Sequence, residues 1–143
     1  MRHLHGLLWT LTVRCRTQKH VALKILKANC YGSAQHVFEL ELLQRIASTS
    51  LIRTGPGRRH VVELLDNFHH IGPNGDHVCL VFPVLGCHLA AQAARFNKRR
   101  IPVRVMKEVA RQLLQGLDFL HRECGIIHTG ICFCNLLIVN KCS

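Results

Sequence analysis

Cys124-Gly125-Ile126-Ile127-His128-Thr129-Gly130-Ile131-Cys132-Phe133-Cys134-Asn135-Leu136-Leu137-Ile138-Val139 is the stretch from which the rest of the chain is best understood. The apolar pair Ile126 and Ile127 runs into a His, and an Asn follows seven residues after that His. Then comes an apolar run, Leu136 to Val139, whose β-branched content predicts a strand. A polar loop anchored on both sides by apolar segments is where a rigid scaffold presents chemical groups. His128, Thr129 and Asn135 supply such groups here, whereas Gly130 between them carries no side chain.

Upstream of the loop, Val105 or Met106, Val109, Leu113, Leu117 and Leu120 recur at three- and four-residue spacing. That period predicts a long helix over about 103–121, with Arg104, Lys107, Glu108, Arg111 and Glu123 mainly on other sides of the wheel. Pro102 stands near its start, where a missing amide costs nothing, and Gly125 closes its end. Further back, Val61 to Phe68 and His77 to Phe82 are predicted antiparallel strands, joined across a segment containing Asn74-Gly75, a strong hairpin signal. Arg53 to Arg59 holds Gly-Pro-Gly and is predicted to be a loop.

A helix from about Ala34 to Ala47 follows from the spacing of Val37, Leu40, Leu42 or Leu43, and Ile46, with Ser33 as N-cap. It carries Glu39 and Glu41. Before it, Val21-Ala22-Leu23-Lys24-Ile25-Leu26 is an apolar strand interrupted by one Lys. Burying that ammonium is costly unless it meets an anion; a Lys snorkelling from a sheet edge is the plainer alternative. Leu7 to Val13 has strand-forming content, and residues 1–18 are otherwise the least regular part.

The chain has 143 residues, enough for one domain that buries roughly two-thirds of its unfolded surface. No apolar run reaches the roughly 18 residues that span a bilayer. Arg14, Arg16 and Lys19 follow the apolar start with no small-residue cleavage site, so a cytoplasmic or nuclear protein without a membrane span is expected. A net charge of +11 favours polyanions. Its clusters, Arg53 to His60 and Lys98-Arg99-Arg100, are not interleaved with stacking aromatics. Solvated basic faces are therefore expected, with RNA contact through these loops as the alternative. Eight cysteines without a signal peptide point to free thiols. Cys124, His128, Cys132 and Cys134 do not match zinc-site spacings, and no metal is expected on those four.

Val21-Ala22-Leu23-Lys24, Gly72 to Phe82, Val84-Leu85-Gly86, Leu113 to His121 and Ile126 to Gly130 together resemble the protein kinases, and most of all the SR-protein kinase family in its fungal form. The distinctive token is Thr129, where most kinases have Arg; that family writes H-T-D-I-K-P-E-N. The resemblance covers about residues 16–140. It implies an α+β fold: a kinase-like small lobe of antiparallel sheet plus helix C, then the first helices of a large lobe, truncated. Residues 1–15 would be an unrelated leader or a remnant of a glycine-rich hairpin, 16–86 the small lobe and hinge, and 87–143 a partial large lobe ending just after the catalytic loop.

The resemblance also implies roles for individual residues. Lys24 would hold the α and β phosphates of ATP, and Glu39 would pair with it, because Leu42, Leu43 and Ile46 follow as apolar residues follow the helix C Glu in that family. Ala22 would roof the adenine pocket and Phe82 would stand at its back. The Pro83 carbonyl and the Leu85 amide would read adenine; proline at 83 removes an amide and keeps the carbonyl. Asn135 would hold magnesium, so ATP and Mg are the implied cofactors.

The departures lie in the loop. Gly130 occupies the place of the catalytic Asp, and Cys132, Phe133 and Cys134 replace Lys, Pro and Glu. Only Gly6 is available for a glycine-rich hairpin, and no D-F-G or A-P-E follows Asn135. The expectation is a kinase-like fragment that binds ATP without catalysis. One alternative is an active ATP-dependent serine/threonine kinase whose gene has been read incompletely. Another is a pseudokinase-type binding module, with a protein partner covering the apolar helix at 103–121.

Overall fold

The structure, a computed structural model, describes residues 6–9, 20–28 and 38–137. The expected Ser33 cap, the helix start at Ala34, residues 10–13 of the first strand and the strand over Ile138 and Val139 lie outside the described residues. The chain divides into two compact units, residues 1–48 with 62–84, and residues 49–61 with 85–143.

The first unit is built on a four-stranded antiparallel sheet of β1 (Gly6–Trp9), β2 (Val21–Leu26), β3 (Asp66–Gly72) and β4 (Gly75–Pro83), in the order β1-β2-β4-β3. The predicted strand over Val61 to Phe68 is corrected to Asp66–Gly72. The physical reason is the turn. Gly72 pairs with Gly75 across Pro73 and Asn74, so the ladder runs to the tip and register is counted from there. Gly75 has φ +114°, where a side chain would be strained. Val61 to Leu65 approaches β4 through one backbone bond, Leu65 N–H to the Val81 carbonyl at 2.9 Å.

Helix α1 (Glu39–Ile52) runs five residues past the predicted end at Ala47. No Gly or Pro interrupts Ala47 to Ile52, and the breakers come only at Gly55-Pro56. Leu40 and Leu43 of α1 are buried against Leu26, Val78 and Leu80 of the sheet, with Leu64 and Phe82 packed around them. Leu43 is thus the inward member of the Leu42/Leu43 pair, and Leu42 is exposed. Alternation along β2 and β4 puts Leu26 and Leu80, both 0% exposed, on the side that α1 covers.

In the second unit, α3 (Val103–Asp118) continues into one π-helical turn over Phe119–Glu123 and stops at Gly125, φ +64°, as the sequence predicts. A five-residue α2 (Leu89–Ala93) was not predicted; its run is too short for periodicity to register, and His88 caps it by accepting the Ala91 amide at Nδ1, 3.1 Å. Arg53 lies 3.4 Å from Glu123.

The one-turn helix Arg58–His60 packs onto α3 through two glycines. A Cβ on Gly57 would stand 2.0 Å from the Gln115 carbonyl oxygen and 2.8 Å from Phe119 Cβ; one on Gly116 would stand 3.2 Å from the His60 carbonyl oxygen. These contacts are largely backbone and cannot swing aside. Gly57→Ala is therefore expected to destabilise by about 1–3 kcal/mol, as overpacking does. Gly55→Ala, with nothing within 4 Å, should be nearly neutral. Urea midpoints of the two variants check this; equal midpoints would contradict the close approach.

Candidate functional site

Directly opposed residues on neighbouring strands point to the same side of a sheet. Ala22 opposes Phe82 and Lys24 opposes Leu80 across β2 and β4, so Ala22, Lys24, Leu80 and Phe82 share the face on which α1 packs. Val21 opposes Pro83 at the end of the ladder. Glu39 opens α1, next to the buried anchor Leu40, and the docking of Leu40 and Leu43 brings its carboxylate to the middle of β2.

There Lys24 Nζ donates to Glu39 Oε1 across 15 residues of sequence. The side chains are 22% and 29% exposed. A partly solvated pair of this kind is worth little as stability, about 0–1 kcal/mol. Its consequence is positional: the ammonium is held at one spot beside Ala22, Leu80 and Phe82, with two further N–H donors to offer an anion. Among the predicted site residues, the first unit thus brings together Lys24 with Glu39 and Ala22 with Phe82. Leu85 and Asn135 belong to the second unit.

The loop that opened the sequence analysis is a closed frame around Gly130. Its amide donates to His128 Nδ1 at 3.2 Å, and its carbonyl accepts from Asn135 Nδ2 at 2.8 Å. The Asn135 amide in turn donates to the Cys132 carbonyl at 3.0 Å. The His and Asn visible in the sequence are therefore the two groups that clamp the residue between them. Sequence reasoning found the pair by spacing and missed that both bond to Gly130. A Cβ on Gly130 would meet nothing within 4 Å, so the place of a side chain there is open.

Asn135 commits its amide nitrogen to Gly130 and leaves Oδ1 as its ligating atom. A hard cation such as magnesium takes oxygen ligands and usually binds through a carboxylate plus phosphates. No Asp or Glu occurs from Cys124 to Asn135, so this segment offers a cation neutral oxygens and no carboxylate side chain. Cys132 and Cys134 are exposed free thiols.

A family model described as protein kinase domain matches residues 10–143. Protein kinase dsk1 of Schizosaccharomyces pombe is 42% identical over 121 residues, 85% of this chain and 22% of that protein. Serine/threonine-protein kinase SKY1 of Saccharomyces cerevisiae is 43% identical over 113 residues, 78% of this chain and 15% of that protein. SRSF protein kinase 3 of Homo sapiens is 38% identical over 121 residues, 85% of this chain and 21% of that protein. The chain thus spans between 15% and 22% of the length of these curated relatives.

Proposed function

The chain belongs to the protein kinase domain family and is SR-protein-kinase-like, and from that premise we propose that it binds ATP through Lys24 and Glu39 while lacking phosphotransfer activity. The contact between Lys24 and Glu39 is the observation that carries the first half: a Lys in a half-buried strand is met by a carboxylate brought from α1. Lys24 bonds the α and β phosphates, and Glu39 fixes its direction. Phe82 and Ala22, opposed across the ladder, form the back and roof of the adenine site, where the Pro83 carbonyl and the Leu85 amide read the base. The boundaries proposed are those of the sequence, 1–15 for a hairpin remnant, 16–86 for the small lobe with hinge and 87–143 for the large-lobe part.

Magnesium, where bound, neutralises phosphate charge. Asn135 Oδ1 is the residue atom that would hold it. Gly130 carries the second half of the proposal. A loop that still clamps its central residue from both sides holds no carboxylate to accept a proton. Among the described residues no helix is long and apolar enough to cross a membrane, and cytoplasm or nucleus is the proposed compartment.

ATP titration by calorimetry tests the binding half. Lys24→Ala is expected to weaken ATP by about tenfold or more, since a charge-assisted hydrogen bond contributes about 1.5–3 kcal/mol. Glu39→Ala should weaken it by less, because Lys24 keeps its charge. Equal ATP affinity in Lys24→Ala and the parent would refute this assignment.

A second reading, a non-enzymatic module that engages another protein through α3, is favoured by one observation. Val103 and Leu114 on that helix are 71% and 65% exposed. RNA contact through Arg58, Arg59 and Lys98 to Arg100 belongs to the same reading.

A further inference from the structure

The tip of the hairpin formed by β3 and β4 holds His69, His70 and His77, none of which the nucleotide proposal uses. The geometry points to a metal site there: we propose that His70 and His77 together bind one divalent transition-metal ion that favours imidazole, such as Ni2+, Cu2+ or Zn2+, and so clip β3 to β4. His70 and His77 are direct partners in the antiparallel ladder. Such partners place their Cβ atoms about 4.5–5.5 Å apart on one side of the sheet, a separation that two imidazoles can close onto a single ion.

The side is the one opposite α1, since Lys24 and Leu80 alternate to the other. Gly72 confirms that the two rings share a space. The point its Cβ would occupy lies 3.6 Å from His77 Cδ2, 3.7 Å from His77 Nε2 and 3.9 Å from His70 Cδ2. The glycine leaves open the space that borders both rings.

The tautomer is set as a metal ligand needs it. His77 Nδ1 is 3.0 Å from the Leu26 carbonyl oxygen, which can only accept, so Nδ1 carries the proton. Nε2, the nitrogen that faces the Gly72 space, then presents its lone pair. A ligating histidine that donates its other N–H to a backbone carbonyl is the usual outer-sphere arrangement, and it fixes both ring orientation and basicity. His69 is not part of the site. Its Nδ1 is 2.8 Å from Asp76 Oδ2, on the face shared with Val78. Among the described residues no group of three or more His, Cys, Asp or Glu is placed to hold an ion, so water fills the remaining positions on a two-histidine site.

Calorimetric titration of Ni2+ into the full chain tests this, in a Cys132→Ser, Cys134→Ser background that removes, among the described residues, the exposed thiols as competitors. One Ni2+ per chain is expected. His70→Ala should weaken it by about tenfold or more, since even outer-sphere losses at metal sites cost 10–100-fold. His69→Ala should leave it unchanged. Ni2+ should also raise the unfolding temperature of the parent and not that of His70→Ala, because only a bidentate ion ties the strands. His77→Ala should likewise lose the ion; if loss of its bond to Leu26 unfolds it, exposed His70 still decides. Absence of Ni2+ binding in the parent, affinity unchanged in His70→Ala, or an equal loss in His69→Ala would overturn the proposal.

Discussion

Incubated with labelled ATP and an arginine-serine peptide, the chain is expected to transfer no phosphate above the level left by Lys24→Ala. The reason lies in a loop whose His and Asn keep the frame while the groups between them are replaced. Phosphoryl transfer is mostly placement and charge stabilisation, and the catalytic-loop carboxylate both orients the substrate hydroxyl and takes its proton. General-base catalysis contributes about 10²–10⁴-fold. Gly130 has no side chain to supply it, although His128 and Asn135 hold its backbone from both sides. The neighbouring replacements add to the loss, because Cys132 and Cys134 stand where a Lys and a Glu are expected. Gly130→Asp is sterically permitted, since a Cβ there meets nothing within 4 Å. Transfer by the unaltered chain that disappears in Lys24→Ala would show that another group does the work of the missing carboxylate.

Leu80→Ala is expected to be among the most damaging single changes at the described residues of the first unit. Leu80 is 0% exposed and lies in the cluster with Leu26, Leu40, Leu43 and Val78. Truncating such a residue removes its transfer energy and leaves a cavity, at a cost of about 2–5 kcal/mol. Domains are stable by only about 5–15 kcal/mol. Because Leu80 opposes Lys24 on one side and Asn67 on the other, the cavity opens under the strand that carries the candidate phosphate ligand. The urea midpoint should fall steeply and any stabilisation by ATP should fall with it. Ile71→Ala, at a residue 84% exposed, should stay within about 0.5 kcal/mol of the parent. Similar midpoints for the two variants would contradict the central place given to Leu80.

Much of this was legible from the sequence where side-chain pattern and local chemistry agree. The Val21–Leu26 strand, the hairpin at Asn74-Gly75, and a helix from Pro102 to Gly125 all carry their own start and stop signals. The joining of Lys24 to Glu39 was legible through resemblance alone, because a contact across 15 residues leaves no periodic trace. Val61 to Leu65 is apolar enough to predict a strand, while the register of the first hairpin strand is set by the turn at Pro73-Asn74. Leu64 spends that apolarity on packing against the core instead. The α1 end was set too early because no breaker occurs before Gly55. Around Gly130, the resemblance points to the place of the catalytic Asp, while the bonds to His128 and Asn135 leave no trace in the sequence.

The most direct test of the central claim is the unfolding temperature of the unaltered chain with and without MgATP. A ligand at one hundred times its Kd stabilises the folded state by about 2.7 kcal/mol. The account predicts a clear rise that Lys24→Ala reduces or abolishes; no rise at millimolar MgATP would contradict it.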